Sequence, residues 1–304
     1  MKTPSTNNPE LDAEPSQEPE QLPGEKLQKV LARAGLGSRR EMEREISDGK
    51  VEVNGKVAKL GERVDDSDAI FYCGKKISHG TGHTQPLRVL LYNKPEGEIC
   101  SRVDPEGRRT VYEKLPRLKS GRWISVGRLD FNTSGLLLFT NEGELANKLM
   151  HPSSNIDREY LVRIQGDVDE DMIERLKEGV LLDDGVAKFT DVKSGSHEGS
   201  NAWFYCVVME GKNREVRRLW ESQDVRVSRL KRVRYGNIFI PSHVRVGQWV
   251  ELDYREVCEL CETANYPQPP KPKFSAQLKQ RRERHERKLR SRAYKNASKK
   301  NKRR

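Results

Sequence analysis

The chain contains 304 residues, enough for one large domain and a smaller one, each with its own hydrophobic core. Hydrophobic and charged residues each make up 34% of the sequence, so part of the chain is expected to lie outside any packed core. No apolar run is long enough to span a membrane, and the N-terminus lacks the apolar core of a signal peptide. We therefore expect a cytoplasmic protein whose five cysteines are reduced thiols.

Positive charge is concentrated at the C-terminal end of the chain. The net charge is +11, and residues 271–304 contain 16 lysines and arginines against 2 glutamates. A basic tail of this kind indicates a polyanionic partner, with nucleic acid favoured over an anionic membrane. A membrane surface is disfavoured because the tail has few large apolar residues that would insert into it.

Composition and turn residues divide the chain into five segments. The first is rich in Pro, Glu, Gln and Ser, and the last is rich in Lys and Arg without an apolar face that would dock as a helix. The predicted segments are a disordered acidic leader over residues 1–24, a small domain over 25–75, a linker over 76–86, a large domain over 87–265 and a disordered basic tail over 266–304.

The small domain is predicted to contain two short helices and a hairpin. Apolar residues recur with helical spacing over residues 26–34. Ser38 and Glu41 then form a capping box that starts a second helix. Residues 51–57 alternate apolar and polar residues around an Asn-Gly turn, which is typical of a β-hairpin.

The start of the second helix carries a pair of positive charges. Arg39 and Arg40 lie in its first turn, where positive charge opposes the helix dipole unless an anion such as phosphate is bound. Two helices followed by a hairpin, with arginines opening the second helix, resemble the S-four-type RNA-binding domain. The resemblance implies that Arg39, Arg40 and Lys50 contact RNA. The alternative is a generic helical domain with a solvated charged face.

The large domain is predicted to contain many strands and few helices. Because antiparallel-style turns connect most of the strands, the pattern indicates an α+β fold around one mixed, largely antiparallel sheet. The apolar run at 202–209 is continuous, which favours a central strand. Strands are predicted over residues 88–92, 123–126, 136–140, 159–164, 202–209 and 227–234, with a turn at 93–97 and helices over 141–150, 169–177 and 215–220.

One loop of the large domain places a carboxylate between two buried strands. The stretch from Val126 to Gly135 contains Asp130 and, two positions earlier, Arg128. A loop of this kind can present a reactive side chain from a rigid scaffold. Taken alone, the same stretch also fits a turn in which Asp130 or Asn132 caps its own backbone.

Three segments of the large domain occur in an order that matches a known family. They are the Gly-Arg-Leu-Asp loop at 127–130, the strand containing Tyr160, and the Gly-Lys-Asn-Arg-Glu-Val-Arg-Arg sequence at 211–218. Together with the small domain, they resemble the pseudouridine synthases of the RsuA/RluB branch over nearly all of residues 25–260. Within this branch, the resemblance is strongest to members that act on large-subunit ribosomal RNA.

The resemblance implies a reaction in which a uridine in RNA is detached from its ribose, turned and rejoined through a ring carbon. One ionised carboxylate suffices as the nucleophile, and neither a metal nor another cofactor is implied. Asp130 matches that nucleophile, with Arg217 as the first and Arg214 as the second choice for the buried cation beside it. Tyr160 matches the aromatic residue that stacks on the target base. Arg128 is the candidate to fill the space that a flipped base leaves.

The remaining expectations concern partners. Lys212, Arg214 and Arg218 are expected to contact phosphates of large-subunit ribosomal RNA or of a ribosome assembly intermediate, bound by a monomer. The alternative from another functional class is a non-catalytic rRNA-binding or ribosome-assembly protein on the same scaffold. A carboxylate facing RNA favours the enzyme, because it would repel phosphate unless it took part in chemistry. Cys258 and Cys261 fit two thiols on one helix turn better than a metal site.

Overall fold

The computed structural model of the chain describes residues 24–79, 86–198, 201–271, 280 and 283–289. The predicted leader, apart from Gly24, and most of the predicted tail lie outside these residues. The chain divides into two compact units, Met1–His83 and Thr84–Arg304, which are described separately. Within the described ranges, no helix combines the length and apolar composition needed to span a bilayer.

The first unit is a small α+β module. Its core is formed by apolar residues of both helices and of the sheet strands. Four strands form a sheet in the order β3-β2-β5-β6, and β1 pairs separately with β4. The elements are β1 (Glu25–Lys26), α1 (Leu27–Arg33), α2 (Arg39–Ser47), β2 (Val51–Val53), β3 (Lys56–Val57), β4 (Arg63–Val64), β5 (Ile70–Tyr72) and β6 (Lys75–Lys76).

The local signals of the first unit are confirmed. The Ser38 hydroxyl accepts a hydrogen bond from the Glu41 backbone, and the Glu41 carboxylate accepts one from the Ser38 backbone, as the capping box requires. The β2–β3 turn places Asn54 and Gly55 at φ values of 53° and 78°, the left-handed region that an Asn-Gly turn uses. The predicted start of the linker at residue 76 is wrong, because β6 includes Lys76 and Ile77 packs against the core.

The second unit is built on one nine-stranded sheet. The strand order is β13-β14-β10-β15-β9-β7-β17, with β16 added to β15 and β8 added to β9. Only the β15–β9 pair is parallel among the described pairs of this sheet, so the predicted mixed and largely antiparallel α+β fold is confirmed. The elements are β7 (Val89–Lys94), β8 (Ile124–Val126), β9 (Ser134–Thr140), α3 (Gly143–Met150), β10 (Arg158–Gln165), α4 (Glu170–Glu178), β11 (Val180–Leu182), β12 (Gly185–Ala187), β13 (Asp191–Glu198), β14 (Asn201–Val208), α5 (Glu215–Glu221), β15 (Arg226–Tyr235), β16 (Ile238–Phe239), β17 (Trp249–Glu251) and α6 (Tyr254–Thr263).

The two faces of this sheet contribute to different cores because side chains alternate along each strand. Leu90 and Tyr92 of β7 join the core that α4 and α5 cover. Val89 and Leu91 join the core on the other face, which α3 and α6 cover. The core under α4 and α5 also contains Tyr160 and Leu129.

Two features of the second unit differ from the sequence-based expectations, and a third agrees with them. The turn predicted at 93–97 starts later, because Asn93 and Lys94 still belong to β7 and are buried. The apolar run at 202–209 forms β14, which lies between β13 and β10 as predicted for a central strand, although Tyr205 on it is 40% exposed. In the tail, where no docking face was expected, residues 283–289 are helical and Leu289 is 4% exposed in the core that α3 and α6 cover.

Candidate active site

The loop that carries Asp130 connects β8 to β9, and residues 129–133 of its backbone are held from outside the loop. Five consecutive carbonyls accept hydrogen bonds from groups outside the loop, which fixes its path before any ligand binds. The pairs are the Leu129 carbonyl with Cys100 Sγ (3.3 Å), Asp130 with Lys94 Nζ (3.0 Å), Phe131 with the Gly97 N–H (2.8 Å), Asn132 with Arg217 Nη2 (3.0 Å) and Thr133 with Lys94 Nζ (2.9 Å).

Lys94 is the central anchor of this loop. Its side chain is fully buried, and its ammonium donates to the carbonyls of Pro95, Asp130 and Thr133. Burial lowers the pKa of Lys94, and the negative charges of the Glu98 and Asp130 carboxylates oppose that shift. No role for Lys94 was predicted from the sequence. The available signal is a lysine that directly continues the apolar strand residues 89–92.

The Asp130 carboxylate itself is uncommitted. Asp130 is half-buried, and no hydrogen bond or ion pair joins its carboxylate to another described residue. Burial lowers the pKa of Lys94 and of Arg217, the two buried cations that hold the loop, and the negative charge of Asp130 opposes this lowering in both. The capping role considered from the sequence is therefore absent for this carboxylate within the described residues.

Arg217 lies under the loop and is 4% exposed. Its guanidinium donates to the carbonyls of Asn132 (3.0 Å) and Val227 (3.1 Å), so it ties the loop to the start of β15. Burial lowers the pKa of Arg217, repulsion from Arg214 adds to this, and attraction to Asp130 opposes it. The hydrogen bonds of Arg217 thus go to backbone carbonyls, and no ion pair joins Arg217 to Asp130 among the described residues, so their pairing stays a prediction.

A close backbone contact fixes the end of the loop. β9 runs parallel to β15, with Gly135 opposite Arg232. A Cβ atom on Gly135 would lie 2.1 Å from the Arg232 carbonyl oxygen, and Gly135 has a φ of +107°, so only glycine fits there. Arg232 is 3% exposed and donates through Nε to the Leu136 carbonyl (2.7 Å), which adds a third buried cation under the site.

Tyr160 lies with Val162 and Ile164 on one buried face of β10, as their alternation in the sequence predicted. This face, which α4 and α5 cover, is called the catalytic face because it carries the candidate site residue Tyr160. The neighbours of Tyr160 across the strands are Cys206 on β14 and Arg232 on β15. Its side chain is 9% exposed and belongs to the same core cluster as Leu129 of the loop. The structure therefore brings the tyrosine strand and the aspartate loop to one face of the sheet.

A cavity of about 460 Å³ opens beside the loop. Its walls combine three arginines with two carboxylates, and neither Asp130 nor Tyr160 lines it. The volume falls within the usual range for sites that accept small ligands. The lining residues are Glu96, Asn132, Gln165, Arg214, Arg217, Glu221, Arg226, Val227 and Ser228.

The predicted RNA-contacting residues of the second unit differ in whether their side chains already pair with a carboxylate. Arg128 is exposed and has no hydrogen-bond or ion-pair partner among the described residues. Arg214, at a φ of 49°, lines the cavity and approaches Glu221 at 3.9 Å. Lys212 and Arg218 are already engaged by carboxylates: Lys212 pairs with Glu210 at 2.9 Å, and Arg218 pairs with Asp184 at 2.7 Å.

The predicted RNA-contacting residues of the first unit also differ. Arg39 and Arg40 are exposed in the first turn of α2, and no described residue pairs with either guanidinium. Lys50 is paired instead, with Glu45 at 2.9 Å and Asp48 at 3.2 Å. The hydrogen bonds that Lys50 donates to these carboxylates raise its pKa above the ordinary value.

Family models match both units of the chain. The RNA pseudouridylate synthase model matches residues 88–222, and the S4 domain model matches residues 25–70, which confirms the S-four-type module and the family resemblance. A solved pseudouridylate synthase shares the fold, with a TM-score of 0.54 at 23% identity over 77% of this chain and 99% of that chain.

Curated relatives are also similar over most of the chain. "Ribosomal large subunit pseudouridine synthase B" of Pseudomonas aeruginosa is 61% identical over 235 residues, covering 77% of this chain and 61% of the relative. The Vibrio cholerae protein of the same name is 60% identical over 234 residues, covering 77% of this chain and 73% of the relative. The chain thus spans about three-fifths of the length of the first relative and nearly three-quarters of the second.

Proposed function

Because this chain belongs to the RNA pseudouridylate synthase family, we propose that it converts a uridine of large-subunit ribosomal RNA to pseudouridine with Asp130 as the nucleophile. The substrate class is supported by the names of the curated relatives and by the S4 domain. The role of Asp130 is supported by the hydrogen bonding of its loop. The carbonyls of residues 129–133 are held from outside the loop, whereas the Asp130 carboxylate has no partner among the described residues.

The reaction is an isomerisation, so its atoms balance without another reactant. The bond between ribose C1′ and uracil N1 breaks, the bond between C1′ and C5 forms, the C5 proton leaves, and N1 gains a proton. A carboxylate nucleophile divides such a rearrangement into easier steps. Asp130 is suited to this role because rigid anchoring of its loop removes the need to organise it during the reaction.

The other site residues take supporting roles in this proposal. Arg217 positions the loop and supplies positive charge near Asp130, with Arg214 on the adjoining cavity wall. Tyr160 stacks on the flipped target base from the catalytic face. Arg128, exposed and unpaired among the described residues, enters the space that the base leaves in the RNA. Arg39, Arg40, Lys50, Lys212 and Arg218 add phosphate contacts, the last three by exchanging their present carboxylate partners.

We further propose that the protein acts as a monomer in the cytoplasm. Its substrate is free ribosomal RNA or a ribosome assembly intermediate. Mapping pseudouridine in ribosomal RNA from cells that lack the protein would identify its target nucleotide.

The role of Asp130 is tested by tritium release from ribosomal RNA labelled at carbon five of uracil. Asp130→Asn keeps the shape of the side chain and removes its charge, so we expect the rate to fall by about 10⁴-fold or more. Asp183→Asn, an exposed aspartate on the β11–β12 hairpin, is the charge-matched control and should react like wild type. Equal tritium release from wild type and Asp130→Asn would refute the nucleophile, and no release from wild type would support the non-catalytic alternative.

A further inference from the structure

Among the described residues of the second unit, one end of the sheet is covered on one face only. Val162 and Ile164 of β10 are buried on the catalytic face, whereas Leu161 and Arg163 point the other way and remain partly exposed. On the neighbouring strand, Tyr205 is 40% exposed. The side of β13, β14, β10 and β15 that faces away from α4 and α5 is therefore open, and we call it the open face.

Strand register places the side chains of the open face in rows. One row crosses all four strands and consists of Lys193, Tyr205, Leu161 and Lys231. The next row consists of Trp203, Arg163 and Arg229. A row that spans four strands is about 14 Å wide, because neighbouring strands lie about 4.8 Å apart. The open face is thus wide enough to contact several nucleotides.

The two rows combine aromatic rings with positive charge. The aromatic residues Trp203 and Tyr205 are both on β14, and the cations lie on the strands at either side. Neither row contains a carboxylate, and Arg163 already stacks over Trp203, with 5.8 Å from guanidinium carbon to ring centre. The adjoining row contains Asp191, which pairs with Lys193 at 3.5 Å, and Glu159, which pairs with Arg234 at 2.6 Å. No ion pair joins Arg163, Arg229 or Lys231 to a described carboxylate, so their positive charge lies in the two rows that hold the aromatic side chains.

We propose that the open face binds an unpaired segment of the RNA substrate, with bases stacked on Trp203 and Tyr205 and phosphates held by Arg229 and Lys231. Exposed aromatic residues on a sheet bind splayed bases, and flanking cations bind the backbone. A protein partner fits less well because lysine is depleted at protein interfaces.

The location of the open face determines which part of the RNA it binds. Leu161 and Arg163 project from the side of β10 opposite to Tyr160, so the sheet itself separates the open face from the catalytic face. The bound segment must therefore flank the target uridine in the RNA rather than contain it. We expect loss of these contacts to weaken RNA binding and to leave the reaction rate at saturating RNA unchanged.

The test measures fluorescence anisotropy of a labelled oligouridylate, with every variant made in the Asp130→Asn protein. Arg229→Gln combined with Lys231→Gln should weaken binding and lower the slope of log Kd against log salt by about 0.7 for each lost contact. Arg255→Gln combined with Lys177→Gln removes the same charge from α6 and α4, outside the open face, and is the matched control. Equal affinity and equal salt slope for the two double variants would overturn the proposal.

Tryptophan emission supplies an independent measurement. A base that stacks on Trp203 should quench its emission, and Trp203→Phe should remove that quenching while retaining a stacking ring. Tyr205→Ser should weaken oligouridylate binding at least about fivefold, the lower limit for loss of one base–aromatic stack. Quenching that persists in Trp203→Phe would overturn the proposal. The inference rests on RNA being the substrate, but it can fail separately, since these binding measurements involve no turnover and the tritium assay does not report on the open face.

Discussion

Replacing Gly135 with alanine tests whether the close approach of β9 to β15 holds the Asp130 loop in place. The added Cβ would lie 2.1 Å from the Arg232 carbonyl oxygen and 2.7 Å from the Arg232 nitrogen. Both contacts involve backbone atoms, so no side chain can rotate away, and one strand must move by about 1 Å to reach an ordinary contact distance. The loop leads directly into β9, which begins at Ser134, so this movement is transmitted to Asp130.

Two effects determine how much Gly135→Ala lowers the free energy of unfolding. A side chain in the left-handed region costs about 1–2 kcal/mol. Overpacking against a backbone that cannot rotate adds about 1–3 kcal/mol. We therefore expect the free energy of unfolding of the second unit to fall by about 2–5 kcal/mol. A displacement of about 1 Å in the loop should in addition lower the rate of pseudouridine formation by about 100-fold.

Gly127→Ala is the matched control for this experiment. Gly127 begins the same loop at a φ of +75°, but a Cβ there would meet no atom within 4 Å. Only the conformational cost of about 1–2 kcal/mol should apply to it. All four tryptophans of the chain lie in the second unit, so denaturant unfolding followed by tryptophan fluorescence reports on that unit. If Gly135→Ala is no less stable and no less active than Gly127→Ala, the close contact does not position the loop.

Two further predictions concern the loop anchor and the first unit. Lys94→Met removes the donor to three carbonyls, so the rate of tritium release should fall by about 100-fold or more. Lys119→Met, at an exposed position, is the control. Equal rates for the two variants would contradict the anchoring role of Lys94. Arg39→Gln combined with Arg40→Gln should lower the salt slope of RNA binding by about one per arginine and leave the rate at saturating RNA unchanged. Arg33→Gln, whose guanidinium pairs with Glu25 at 2.6 Å, should bind as wild type, and a double variant that behaves the same way would remove Arg39 and Arg40 from the interface.

Local signals were sufficient wherever neighbouring residues determine the structure. The capping box of Ser38 and Glu41 and the Asn54-Gly55 turn were predicted because hydrogen bonds and backbone preferences within a few residues decide them. The alternation of Tyr160 with Val162 and Ile164 predicted their shared face for the same reason. The order of motifs along the chain identified the family, and with it Asp130 as the candidate nucleophile.

Contacts between distant residues decided the rest. Lys94 anchors carbonyls 36 and 39 residues further along the chain, and no pattern around Lys94 indicates that approach. Arg217 was expected to pair with the Asp130 carboxylate, but its buried guanidinium reaches the carbonyls of Asn132 and Val227. A buried cation binds whichever acceptors the packing brings within reach, and only the tertiary structure determines those acceptors.

For the strand at 201–208, the tertiary structure likewise decided which side chains are buried. Its sequence is almost entirely apolar, which predicted its central place in the sheet but not which of its faces is covered. Among the described residues α4 and α5 cover one face, and Tyr205 is exposed on the other. The sequence by itself determined the modules, the strand periodicity and the candidate nucleophile, because these depend on residues close together in the chain. The anchors of the Asp130 loop and the open face were decided by the tertiary structure, since both depend on which distant elements pack against each strand.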